Sequence, residues 1–220
     1  GMTVTAFIQN FTRNTNAAQR TDDARVARVL DILRSSAPAT TDEQIHITEI
    51  PAPPFHEEAR AAYIKKQLSA AGLRVETDAT GNVIGEWAGS SPDIVMVTAH
   101  LDTVFPEGTD LHVKREGGRL VAPGISDNGT GLAALIAVAK AFREAKIKTK
   151  LTILFVADVG EEGEGNLRGM RALVDTYKKG LKYVIALDGS ATEYVTTAAL
   201  ASRRVEVLID GPGGHSWSDF

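Results

Sequence analysis

Hydrophobic positions along the chain follow a helical period up to about residue 72 and then switch to strands alternating with helices. In ARVARVLDILR, residues 24 to 34, Val26, Val29, Leu30 and Leu33 share one helical face, which predicts an amphipathic helix ended by Ala37-Pro38. A second helical turn or two is expected over Asp42 to Ile50, broken by PAPP at 51 to 54. EEARAAYIKKQLSAAG, residues 57 to 72, reads as a longer helix closed by glycine. From Leu73, LRVETD and NVIGEW predict two strands joined by Ala79-Thr80-Gly81, and DIVMVTAH at 93 to 100 predicts a buried strand. LHVKREGGRLVAP adds a hairpin turning at Gly117-Gly118. An apolar helix over 129 to 145, the buried strand KLTILFVAD, the helix RGMRALVDTYKKG and the strand KYVIALDG complete the pattern. Such alternation predicts a three-layer α/β/α fold with a mostly parallel central sheet and helices on both faces.

The final segment, RRVEVLIDGPGGHSWSDF, starts as an alternating strand and stops just after a glycine-rich turn. Val205, Val207 and Ile209 would present one face in need of cover, so we expect residues 1–200 to form one domain and 201–220 to open another. No internal repeat or low-complexity tract interrupts the chain.

Composition narrows the chemistry. At 220 residues and 43% hydrophobic content, a sizeable core can be buried. Twenty-four Lys plus Arg against 28 Asp plus Glu leave a net charge of -4, which provides no broad attraction to nucleic acid or to an anionic membrane. No run of about 18 apolar residues suits a membrane span. No basic start followed by an apolar stretch marks a signal peptide, so the cytoplasm is the expected compartment. With no cysteine, a bound metal must be held by histidine and carboxylates.

Five such residues fall at predicted strand ends or in the loops beyond them, where open α/β sheets bind ligands. His100 closes IVMVTAH, Asp127 precedes the helix starting near Gly129, Glu161 and Glu162 follow LTILFVAD, and Asp188 closes YVIALD. Each has an ordinary alternative. Asp127 could cap a helix, the glutamates could be a solvated pair, Asp188 could make a turn, and His100 could bond a carbonyl. Together at one sheet edge they match what a two-metal hydrolase needs: a bridging carboxylate, a histidine and further carboxylates, and one free carboxylate to move protons. His46, His56 and His112 lack such a setting and read as structural.

AHLDTV at 99 to 104, GISDNGTGLAAL at 124 to 135, GEEGEG at 160 to 165 and ALDG at 186 to 189 together resemble the M20 family of zinc-dependent peptidases and amidohydrolases, of the peptidase T and glutamate carboxypeptidase type. The resemblance runs from about Ile45 to the end of the chain and includes the intervals, 27 residues from His100 to Asp127 and 34 from Asp127 to Glu161. It implies a zinc exopeptidase-like fold. His100, Asp188 and the bridging Asp127 would bind one zinc, Glu162 would bind the other, and Glu161 would be the general base. Asp102 resembles the carboxylate that orients the metal-binding histidine. A cis peptide is implied at Asp127-Asn128. GPGGHSW resembles the start of a dimerisation or lid domain, in which a histidine like His215 reaches the neighbouring subunit's site to stabilise an oxyanion; a turn histidine is its plainer reading. Implied with these are zinc, replaceable by cobalt or manganese, a short peptide or N-acyl amino acid as substrate, and a homodimer.

The family pattern also requires a second metal-binding histidine from a segment that returns after the lid. No histidine here has that context, so one three-ligand zinc position is expected, with the other weak. Amide hydrolysis leads the functional readings. A non-catalytic metal-binding or interaction fragment and a two-metal aminopeptidase without a lid are the others.

Overall fold

A computed structural model describes residues 23–189, 195–198, 205, 207–211 and 213. The fold below belongs to one compact unit, Asn16–Thr192; Gly1–Thr15 with Glu193–Phe220 form another. Of the strand expected over 203 to 209, the described residues 205 and 207–209 carry no regular secondary structure, and His215 lies outside the described residues.

Helix α1 (Ala24–Ser35) is capped by the Asp23 carboxylate, which accepts from the Arg25 amide. Instead of ending the helical region, Ala37-Pro38 begins α2 (Ala37–Thr48), with proline in the first turn, where its missing N–H costs no hydrogen bond. Helix α3 (Glu58–Ala70) ends at Gly72, whose φ of 85° is the left-handed conformation glycine adopts freely. Then come β1 (Arg74–Thr77), β2 (Val83–Trp87), β3 (Ser91–His100), the hairpin β4 (Lys114–Glu116) and β5 (Arg119–Val121), α4 (Gly129–Glu144), β6 (Leu151–Asp158), α5 (Arg168–Tyr177) and β7 (Leu181–Ala186). The hairpin turns at Gly117-Gly118, as expected, with both residues at positive φ.

The main sheet runs β1-β2-β6-β3-β7. β6, β3 and β7 are parallel, whereas β1 and β2 form an antiparallel edge. The sheet is therefore mixed, because the short turn between β1 and β2 permits only antiparallel pairing. Residues alternate along β6. Phe155 and Ala157 face a core with Ile64, Leu68, Leu132 and Ile136 from α3 and α4, while Leu154 and Val156 face Met96 and Leu173 of α5. This makes a three-layer α/β/α arrangement. Val184 and Ile185 of the edge strand β7 are exposed, and Lys182, ion-paired to Asp93, is that strand's only charge.

Phe155 is fully buried and meets Phe142 edge-on at 5.9 Å between ring centres; Phe142 meets Trp87 in the same way at 5.9 Å. Phe155→Ala should cost about 3–5 kcal/mol, read as a lower urea midpoint with an unchanged slope.

Candidate metal centre

Parallel register fixes where the site forms. His100, last in β3, lies opposite Asp158, last in β6, and the Leu101 amide donates to the Asp158 carbonyl at 2.7 Å. On the other side Thr98 pairs with Ala186 and accepts from the Leu187 amide at 2.7 Å, which brings Asp188 to the same edge. Three strands thus deliver their following loops to one place.

His100 is buried. Its Nδ1 lies 2.9 Å from the Asp102 carbonyl oxygen and 3.6 Å from the Asp102 carboxylate, leaving Nε2 to face Asp127 Oδ1 at 2.8 Å and Asp188 Oδ1 at 3.7 Å. A neutral imidazole with Nδ1–H donating inward presents an Nε2 lone pair outward, as a metal ligand must. Asp102 is fully buried, and its carboxylate beside His100 also ties down a second loop. Its two oxygens accept the Glu161 and Glu162 amides at 3.0 and 2.9 Å, while the residue's carbonyl is the closer partner of His100.

Asp127 stands free of the helix cap. Asn128 supplies that cap, accepting from the Gly131 amide at 3.0 Å, and its Nδ2 donates to the Leu187 carbonyl at 2.9 Å. A methyl group on Gly131 would lie 2.1 Å from the Asn128 oxygen, so glycine is required there. The Asp127-Asn128 peptide is cis.

His100, Asp127 and Glu162 offer ligand atoms that all lie within 4.8 Å of one another, and Asp188 approaches His100 from the side. One imidazole and several carboxylates, without thiolate, suit a divalent cation such as zinc. Electrostatics point the same way. Burial, then the neighbouring carboxylates, raise the Glu162 pKa, and burial with Glu162, Asp188 and Asp102 raises that of the half-buried Glu161 even against the pull of His100. A cation would relieve this crowding of like charge.

Three features had no sequence signal. Asp158 is buried beneath the site, and burial lifts its carboxyl to about 7. Arg60, also buried, donates to the carbonyls of Ile50 and Leu101 at 3.0 and 2.7 Å and so supports the turn after His100. Glu57 and Arg168 pair beside the glutamate loop. A charged residue in a helical stretch looks alike in sequence whether it is solvated or buried. Of the histidines read as structural, His46 packs on Tyr63 and the exposed His112 lies 3.2 Å from Glu49.

The sequence profile of peptidase family M28 matches residues 82–207. An uncharacterised protein of Bacillus subtilis is 29% identical over 189 residues, covering 80% of this chain and 50% of its own. Aminopeptidase PepT of Bacillus cereus superposes with a TM-score of 0.58 at 27% identity, over 68% of this chain and 43% of its own. A tripeptidase of Staphylococcus aureus does so with a TM-score of 0.57 at 25% identity, over 69% and 43%. The chain spans about half the length of the relatives it matches. It belongs to peptidase family M28. The M20 placement taken from the motifs is thereby not supported at family level; both families are zinc exopeptidase-like, and the motifs sit at strand ends which that fold fixes.

In the folded chain burial alone would depress His100, but Asp102, Asp127 and Asp188 outweigh it and raise its pKa from 6.5 to about 9. In metal-free chain, the stability this proton contributes should be complete below pH 6.5 and disappear as pH rises to about 9. The change is on the order of 3 kcal/mol. Urea midpoints measured in chelator across this range should show it, and His100→Gln should flatten the difference.

Proposed function

We propose that this chain carries out metal-dependent hydrolysis of an amide bond in a short peptide or an N-acyl amino acid. The observation that carries the reading is the convergence at one sheet edge of His100, Asp127 and Glu162, with Asp188 and Glu161 beside them. Membership of a peptidase family and likeness to an aminopeptidase and a tripeptidase support it. His100, Asp127 and Asp188 would hold one zinc, Asp127 and Glu162 the second, with cobalt or manganese as substitutes. A divalent cation in that place polarises the scissile carbonyl and acidifies an attacking water.

The chain's own groups do the rest. Glu161 takes the proton from the attacking water at its carboxylate and delivers it to the leaving nitrogen. Its raised pKa makes it a better base than a solvated glutamate. Asp102 holds the Glu161 and Glu162 amides, so base and ligand keep a fixed spacing. An M20-like plan belongs to the same proposal: residues 1–200 form the catalytic part, 201–220 open a dimerisation or lid domain, and His215 serves the site of a partner in a homodimer. The order and spacing of the motifs support that plan.

A second reading, a metal-binding domain without turnover, is favoured by the small donor set and by the match to about half of each relative. Assaying the chain on a dipeptide panel with zinc or cobalt separates the two, since robust hydrolysis removes the second. Glu161→Gln should keep its metal and lose at least about 100-fold in kcat; unchanged turnover would overturn the mechanism. Calorimetric titration with zinc should give one tight equivalent per chain, and two equally tight equivalents would contradict the unequal halves of the site.

A further inference from the structure

The loop Gly160–Leu167 carries both glutamates, and its own backbone bonds, Gly165 N–H to the Glu162 carbonyl at 2.8 Å and Asn166 N–H to the Gly163 carbonyl at 3.3 Å, lie beyond Glu161. Gly160, Gly163, Asn166 and Leu167 all have positive φ, at 61°, 47°, 52° and 57°, and the last two are adjacent residues with side chains. Asp102 fixes the inner side of the loop through the Glu161 and Glu162 amides. The outer side meets Arg168, the first residue of α5.

Arg168 touches the loop twice. Its backbone N–H donates to the Gly160 carbonyl at 3.2 Å, and its guanidinium lies against the Gly160 Cα so closely that a methyl group there would come within 1.8 Å of Nη1. Nη2 donates to both carboxylate oxygens of Glu57 at 2.8 Å, and Cζ stands 4.7 Å from the centre of the Phe55 ring. Glu57 immediately precedes α3, and its side chain is only 4% exposed against 27% for Arg168. Nη1 is buried without a hydrogen-bond partner among the described residues. The close approach to Gly160, together with the Glu57 pairing on Nη2, fixes where the guanidinium lies. Glu57 and Phe55 hold the arginine in that place from the far side, 111 residues away for Glu57.

We propose that Arg168, held by Glu57, is a positioning residue that sets Glu161 and Glu162 against the metal-binding histidine. The proposal rests on the assignment of those glutamates as base and ligand. Without the arginine, Gly160 is free to rotate and Glu162 is displaced from Nε2 of His100. The absorption spectrum of bound cobalt reports this displacement, because it follows ligand geometry and not overall stability.

The test compares wild type, Arg168→Met, Arg168→Lys and Glu57→Gln, with Arg143→Met as a control. Arg143 donates to the Ala70 carbonyl, away from the site. Cobalt affinity, the cobalt spectrum, thermal midpoint, and kcat and KM on a dipeptide are measured for each. Arg168→Met and Glu57→Gln should bind cobalt about tenfold more weakly with an altered spectrum, and lower kcat about tenfold with KM within about twofold. Lysine keeps the charge but not the flat face against Gly160, so Arg168→Lys should keep the thermal midpoint and still lose cobalt affinity. Arg143→Met should lose stability without a spectral change. If Arg168→Met does not fold, Arg168→Lys and Glu57→Gln decide. Wild-type cobalt affinity and spectrum in both would overturn the proposal. Cobalt binding without hydrolysis of any peptide by wild type would instead overturn the peptidase reading, and the affinity and spectral comparison would still decide the role of Arg168.

Discussion

The buried Asp102 carboxylate is the constraint on which the site depends. A fully desolvated anion is tolerable only if its oxygens are satisfied, and here the amides of Glu161 and Glu162 satisfy them while the same residue's carbonyl accepts from His100. One side chain therefore joins the loop after β3 to the loop after β6. Neighbouring hydrogen bonds and the positive charge of His100 keep its pKa low despite burial, so it stays ionised as the site titrates. Arg60 contributes from beneath by holding the Leu101 carbonyl, between His100 and Asp102.

The helix side of the site follows a similar economy. Asn128 performs two tasks, capping α4 and holding the Leu187 carbonyl, and so ties the helix to the end of β7 one residue before Asp188. That leaves Asp127 outside the helix hydrogen bonding, with half of its side chain open to solvent and its carboxylate toward His100. Adjacent residues thus divide structure and chemistry between them.

Much of this could be read from the residues in order. The strands ending in His100 and Asp158 are apolar runs with polar closures, the strand ending in Ala186 leads to Asp188 two residues on, and their parallel pairing makes these residues converge. What could not be read shares one physical cause: it depends on partners distant in sequence. Whether Asp127 or Asn128 caps α4 depends on a carbonyl 59 residues away, and Arg168 meets Glu57 across 111 residues. The antiparallel β1-β2 edge was predicted as a turn but not as a departure from parallel pairing, because strand periodicity carries no direction. The motifs point to a zinc exopeptidase-like fold but do not single out the family matched by the sequence profile, since that fold is common to M20 and M28.

The open strand β7 has a consequence for handling the molecule. β7 stands last in the described sheet, with Val184 and Ile185 exposed, Lys182 as its one charge and a register shift between Leu181 and Tyr183 against β3, and the last strand of a sheet is where a further strand can add. That edge begins one residue after Gly180, which follows α5, and ends two residues before Asp188. Self-association through it would therefore be felt at the metal centre, and protein concentration becomes a variable in every measurement of ligand binding.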